Sequence, residues 1–183
     1  MNLSFITRYA RALAVSTVVA LGIASTAFAQ AGRGPTTPDE QLRVLALAKT
    51  ADSDPLATMA SADGRWFEKW ADDVPDYQFG PDKGAFWFMN NATKNDLKRM
   101  LRFQHTVTIA AFQLQHHISD PATNPADLEA KTLAGVEGLL RAYESMLAKQ
   151  PDLHTAALDD ALALQKRGAL ADFVKALPPM PKR

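Results

Sequence analysis

The 183-residue chain contains no cysteine. This absence excludes disulfide bonds, cysteine-ligated zinc, iron–sulfur clusters and thiol catalysis. It also excludes covalently attached haem c, which requires a Cys-x-x-Cys-His motif. The folded chain must therefore be stabilised by its own packing or by a bound partner.

The chain also lacks an excess of charge of either sign, since 20 Lys and Arg stand against 20 Asp and Glu. Residues 1–29 contain two arginines and no acid, so the remainder carries 18 bases and 20 acids, a net charge of −2. A near-neutral balance provides no electrostatic footprint for nucleic acid. We therefore expect no nucleic-acid partner.

The N-terminal apolar run, residues 12–23, is too short to cross a bilayer, which takes about 20 residues. Two arginines precede this run, and the Ala-Phe-Ala tripeptide at 27–29 follows it. A basic start, a short apolar stretch and a small-x-small site are typical of a secretory signal peptide. We predict that residues 1–29 are cleaved and that the mature chain is periplasmic. A membrane anchor, the alternative, would need a longer apolar run.

Common catalytic motifs are absent: there is no Gly-x-Ser-x-Gly, no P-loop and no Gly-x-Gly-x-x-Gly. The acidic clusters at 72–82 and 159–160 lack the EF-hand pattern and are interpreted as solvated surface. No catalytic, cofactor-binding or metal-binding residue is predicted. We expect no cofactor in this chain and do not expect it to be an enzyme.

The four histidines are interpreted as surface or interface-edge residues. His105 and His116 project at similar angles from one predicted helix, but the helical rise places them about 16 Å apart, too far to share a metal. A haem held by one Met and one His, without cysteine, stays an alternative. Its candidate ligands are Met59, Met100 and Met146 with His105, His116 or His154.

The pattern of apolar residues and helix caps predicts an all-α fold, an antiparallel bundle of three long and two or three short helices. Long helices are predicted over about 93–118, 126–149 and 151–167, and shorter ones over about 38–49, 55–63, 65–71 and 169–177. We predict a flexible leader at 30–37, one helical domain at 38–177 and an extended tail at 178–183.

Three helix starts are marked by capping residues. Thr37, followed by a proline and by Glu40, predicts a capping box. Thr93, followed three residues later by Asp96, predicts a second one. Asn124, followed by a proline, predicts the cap of the helix over 126–149.

Residues 65–91 hold the most unusual composition of the chain. Eight of its 15 aromatic residues and all three tryptophans lie there, among prolines and glycines that fit neither helical nor strand periodicity from residue 72 onward. The eight are Trp66, Phe67, Trp70, Tyr77, Phe79, Phe86, Trp87 and Phe88. Rings in an irregular stretch can fill a core, line a groove for an apolar ligand or glycan, or bind a protein partner. We predict that these eight residues bind a partner.

In layout, the chain resembles the small accessory subunit, of about 15 kDa, in membrane-bound quinoprotein alcohol dehydrogenases of bacteria. The likeness rests on the Ala-Phe-Ala leader, the cysteine-free helical remainder and the irregular segment from Trp66 to Phe88. No motif carries it, so no site residue is transferred. The resemblance implies larger exported partners, a quinoprotein dehydrogenase and a cytochrome c, which would hold pyrroloquinoline quinone and haem c. It also implies membrane contact only through those partners.

That resemblance implies a non-catalytic subunit that aids the assembly, stability or docking of the catalytic subunit at the periplasmic face of the inner membrane. A periplasmic helical bundle that binds haem or another small ligand is the alternative function.

Overall fold

The chain is described from a computed structural model, which covers residues 33–80, 84–90 and 93–178. The predicted signal peptide, the first three residues of the predicted leader and residues 179–183 of the predicted tail lie outside these ranges. Within them, the chain forms seven α-helices and no strand, which confirms the all-α prediction.

The helices follow one another with short connections. They are α1 (Pro38–Ser53), α2 (Pro55–Ala60), α3 (Ala62–Asp73), α4 (Asn95–His116), α5 (Pro125–Lys149), α6 (Ala156–Lys166) and α7 (Leu170–Ala176). The two longest, α4 and α5, pack on each other at the centre; α1 contacts both of them, and α6 and α7 pack on α5. No helix in the described ranges is long and apolar enough to cross a membrane.

Two of the three predicted helix caps form. The Thr37 side chain accepts a hydrogen bond from the backbone of Glu40, and the Glu40 side chain accepts one from the backbone of Thr37. Asn124 caps α5 by accepting from the backbone of Ala126. The predicted box at Thr93 is wrong, because its hydroxyl instead donates to the Phe88 carbonyl oxygen, 2.6 Å away, and α4 starts without a side-chain cap.

The long helix predicted over 151–167 is also wrong. A 3-10 turn at Pro151–Leu153 is followed by extended backbone at Thr155, and α6 starts only at Ala156. The break lets the Thr155 amide donate to the Tyr143 hydroxyl, 3.0 Å away on α5. A tertiary hydrogen bond replaces an intrahelical one at this amide. The periodicity of apolar residues in the sequence does not predict such a contact.

The helix predicted over about 55–63 ends at Ala60, and Gly64 lies inside α3, which Ser61 caps by accepting from the Gly64 amide. A Cβ atom at Gly64 would lie 2.7 Å from the Met59 carbonyl oxygen. The glycine therefore permits a close approach of α3 to the end of α2. As a result, α3 has 12 residues, where the sequence predicted a short turn at 65–71.

Buried apolar residues form two clusters that share α4. The α5 cluster packs α4 against α5, α6 and α7, and the α3 cluster packs α4 against α1 and α3. The main residues of the α5 cluster are Phe88, Leu97, Leu101, Leu139, Leu140, Tyr143 and Leu158. The main residues of the α3 cluster are Val44, Leu47, Phe67, Trp70, Phe103, Val107 and Leu114.

Candidate functional site

The eight aromatic residues predicted to bind a partner fall into two classes of burial. Phe67, Trp70 and Phe88 are buried in the protein's own core, with at most 2% of their surface exposed. Trp66, Tyr77, Phe79, Phe86 and Trp87 are half-buried. The three buried rings stabilise the fold, so only the five half-buried rings present surface that a partner can contact.

Four rings of the segment form a continuous stack that we call the aromatic ladder: Trp66, Trp70, Phe79 and Tyr77. Ring centroids lie 5.8 Å apart for the first pair, 5.2 Å for the second and 5.7 Å for the third. The Arg43 guanidinium lies 3.9 Å from the centroid of the Trp66 ring, a cation–π contact at the end of the ladder. The ladder connects the buried α3 cluster to the surface.

The predicted leader contributes to this region. The Thr36 amide and hydroxyl both donate to the Asp76 carboxylate, at 3.0 and 2.9 Å, and Arg33 pairs with Glu40. The Arg33 guanidinium also lies 5.8 Å from the Trp70 ring. Residues 33–37 are thus held against the segment that follows α3.

Of the other four rings, Phe67 lies in the α3 cluster, and Phe86, Trp87 and Phe88 belong to the α5 cluster. Trp87 contacts Phe173 of α7 edge-to-face at 5.2 Å, and its indole N–H donates to the Ala157 carbonyl oxygen at 3.3 Å. Phe86 meets the His105 ring at 5.0 Å. The aromatic segment is therefore divided between the two clusters, although the sequence presents it as one unit.

A groove of about 650 Å³ runs between α3 and α4, which we call the α3–α4 groove. Its apolar surface comes from Phe67, Ala71, Phe103 and Met89. Its charged side chains come from the two helices separately: Lys98, Arg99 and Arg102 on α4, and Glu68 and Asp72 on α3. This volume lies within the range of ligand-binding clefts, about 300–1,000 Å³.

His105 is buried between α4 and α5, which corrects its interpretation as a surface or interface-edge residue. Neither ring nitrogen has a hydrogen-bond partner among the described residues. Burial, with a smaller contribution from the Lys131 ammonium, lowers the pKa of His105 to about 3. His105 is therefore neutral at physiological pH.

Packing against Gly135 of α5 covers the Nε2 atom of His105. A Cβ atom at Gly135 would lie 2.7 Å from its Nε2 atom. Two of the proposed methionine ligands, Met100 and Met146, lie in the α5 cluster. Within the described residues, no group of three or more acidic or histidine side chains is placed to hold a metal ion.

Further buried polar side chains lie beside His105, and sequence reasoning missed them as a group. Gln104, Lys131 and Thr132 are almost fully buried on α4 and α5. Gln104 Nε2 donates to Asp52 at 2.8 Å, and Arg141 Nε donates to the same carboxylate at 3.0 Å. Their positions on apolar faces of the helices were a signal, but only the packing shows that they are buried.

A second polar cluster lies where α5 meets α6. Asp159 accepts a hydrogen bond from the Tyr143 hydroxyl at 2.9 Å, and His154 Nδ1 lies 3.0 Å from the same carboxylate oxygen. Burial is the main reason that the pKa of Tyr143 is raised to about 12. Asp159 thus orients both side chains, where the sequence predicted only a solvated acid.

Comparison with protein-family models, curated proteins and solved structures finds no significant match to this chain.

Proposed function

We propose that this chain is a non-catalytic accessory subunit of an exported, membrane-associated dehydrogenase complex. In this proposal it aids the assembly, stability or docking of a catalytic quinoprotein subunit at the periplasmic membrane face. Pyrroloquinoline quinone and haem c belong to the partner subunits, and this chain reaches the membrane only through them.

The aromatic ladder is the observation that carries the proposal. Trp66, Phe79 and Tyr77 are half-buried and stacked in the ladder, and the Arg43 guanidinium lies over the Trp66 ring. Interface hot spots are enriched in tryptophan, tyrosine and arginine, because such side chains bury a large area at a low cost in conformational entropy. A pre-stacked ladder would lose little further freedom when a partner covers it.

Native co-purification tests the proposal. The full chain, tagged and expressed in its source cell, is extracted in mild detergent and separated by size exclusion. We expect it to elute with a larger exported dehydrogenase subunit and with a haem absorption band that belongs to a partner. A lone, stable monomer would contradict the proposal, and a Soret band carried by the isolated chain would favour the haem-binding alternative.

A matched pair of variants locates the contact. Tyr77→Ala removes the outer end of the ladder, and Leu42→Ala removes an apolar side chain that is 66% exposed on α1. We expect Tyr77→Ala to reduce co-purification at least tenfold, and Leu42→Ala to leave it unchanged. Circular dichroism of both variants separates lost association from lost folding.

A further inference from the structure

The α3–α4 groove combines an apolar floor with charged side chains that form no ion pair among the described residues. Phe67 and Phe103 are buried beneath it, their rings edge-to-face at 6.0 Å, and Met89 at one end is 37% exposed. A floor of this kind is typical of sites that take an apolar side chain from a ligand.

The charged side chains of the groove are not held by ion pairs in the part of the chain that the structure describes. Some charges nearby are paired: Arg43 with Asp63, Lys69 with Asp73, and Lys94 with Asp152. Lys98, Arg99 and Arg102 form no ion pair within the described ranges, and neither do Glu68 and Asp72 on the opposite wall. The Arg102 guanidinium lies 5.9 Å from the centroid of the Phe86 ring. Three cationic side chains therefore lie across the groove from two carboxylates without forming ion pairs with them.

The walls also restrict the kind of occupant. Both are α-helices, whose backbone groups are already paired internally. An extended peptide would find no free strand edge to pair with, whereas a helix satisfies its own backbone and binds through side chains alone. Helices of a partner commonly insert apolar residues into a groove between two helices.

We propose that the α3–α4 groove docks an amphipathic helix of the partner subunit, with an acidic edge along Lys98, Arg99 and Arg102 and a basic edge along Glu68 and Asp72. Apolar residues between the two edges contact Ala71 and Met89, above the buried rings of Phe67 and Phe103. The inference rests on the proposed function, and it names a second surface, on the side of α3 away from the exposed face of Trp66.

Site-specific photo-crosslinking in the full chain tests the proposal. A benzophenone amino acid replaces Met89 in one sample and Tyr77 in another, and the cross-linked peptides are sequenced from the native complex. From Met89, we expect a helical partner segment with acidic residues on one edge and basic residues on the other. We also expect 0.5 M salt to weaken this cross-link, because it depends on surface charge.

Charge reversal supplies the matched control. We expect the triple variant Lys98→Glu, Arg99→Glu and Arg102→Glu to reduce the Met89 cross-link at least tenfold. The double variant Lys166→Glu and Arg167→Glu, on exposed residues at the end of α6, should leave it unchanged. Unaltered circular dichroism shows that both variants fold.

Several outcomes would overturn the proposal. A cross-link from Met89 to a second copy of this chain, or to a partner segment without an acidic edge, removes the stated occupant. A small molecule that co-purifies with the wild type and is lost from the triple variant also removes it. A partner cross-link from Tyr77 but none from Met89 would support the accessory-subunit function and reject the docking of a partner helix in the groove. If neither position gives a cross-link and the chain purifies as a lone monomer, both the accessory-subunit function and the docking proposal are rejected.

Discussion

The two core clusters of this protein use the same helix, α4, in different ways. In the α5 cluster, Phe88 is completely buried, and next to this cluster α4 side chains pack directly on glycines of α5. In the α3 cluster, Trp70 is buried, but its stack continues through Phe79 to Tyr77, which is half-buried. Half-buried rings lie at the edge of both clusters, but they meet edge-to-face in the α5 cluster and stack on one another in the α3 cluster. Aromatic composition alone therefore does not separate buried rings from half-buried ones.

The largest expected difference between the clusters concerns their rings. Phe88→Ala should destabilise the fold by about 3–5 kcal/mol, as is typical of a buried ring. Tyr77→Ala should cost only about 1 kcal/mol, the size of one aromatic pair. Urea unfolding followed by circular dichroism measures both values. An equal loss of stability in the two variants would show that Tyr77 contributes to the core as Phe88 does, and the difference between the two clusters would disappear.

A second prediction tests the close approach of α4 and α5 at Gly138. A Cβ atom at Gly138 would lie 2.7 Å from Cβ and Cγ2 of Thr108. Gly138→Ala should therefore destabilise by about 1–3 kcal/mol, the usual cost of overpacking. If the space beside Gly138 were open, the same substitution would instead stabilise the fold by up to about 1 kcal/mol, because alanine has a higher helix propensity than glycine.

Two controls accompany Gly138→Ala. Gly34→Ala has no atom within 4 Å of the added Cβ, so its thermal midpoint should stay near that of the wild type. Adding Thr108→Ala to Gly138→Ala should recover part of the lost stability, because the hydroxyl and methyl groups that clash are removed. If the stability changes of Gly138→Ala and Thr108→Ala simply add in the double variant, the predicted clash between the two positions is contradicted.

A third prediction concerns acid stability and depends on His105. Its pKa is about 3 in the fold, against 6.5 for an unperturbed histidine, so the unfolded chain binds a proton that the folded chain does not. Stability should therefore be fully present above pH 6.5 and fall by about 1.4 kcal/mol per pH unit as the pH decreases toward 3. Urea titrations between pH 7 and pH 4.5 measure the slope.

The His105→Leu variant is the control, because leucine cannot bind the proton, and its stability should vary less over that range. The carboxyl groups of Asp54 and Asp152 have lowered pKa values owing to Lys149 and Lys94. Their contribution is present above the ordinary carboxyl pKa of about 4 and is lost below it. An unchanged slope in His105→Leu would show that another group titrates in this window.

The smallest expected effect compares the two threonines predicted to cap helices. Thr37→Ala should cost about 1 kcal/mol, because it removes the hydroxyl that accepts from the Glu40 amide. Thr93→Ala should instead loosen the turn that holds Phe88, since its hydroxyl donates to the Phe88 carbonyl oxygen. Hydrogen exchange distinguishes them: protection should decrease at the start of α1 in the first variant and around residues 84–90 in the second.

Sequence patterns predicted the fold class and most helix bounds, because these depend on local signals. Thr37 with Glu40, and Asn124 with its proline, mark helix starts through contacts within one turn. The failures depend on contacts outside the helix concerned: the Thr93 hydroxyl donates to Phe88 in the preceding turn, and the Thr155 amide donates to Tyr143 on α5. The capping and periodicity patterns of a helix do not indicate that a group outside the helix competes for these hydrogen bonds.

The candidate site was predicted in part. The aromatic residues were found from composition, but their division between two clusters depends on which side of α4 each ring packs against. The unpaired charges of the α3–α4 groove were not found, because Lys98 and Arg102 look like any solvated helix face until Glu68 is placed opposite them. The burial of His105 likewise depends on Phe86 and Gly135, which are distant in sequence.

The sharing of α4 has a consequence for how the domain melts. Leu97 and Leu101 form part of one cluster, and Phe103 and Val107 part of the other, on a single continuous helix. Loss of either cluster would remove a wall of the other, so the two halves unfold as one cooperative unit. Trp87 reports on one half and Trp70 on the other, and their fluorescence should change at the same temperature.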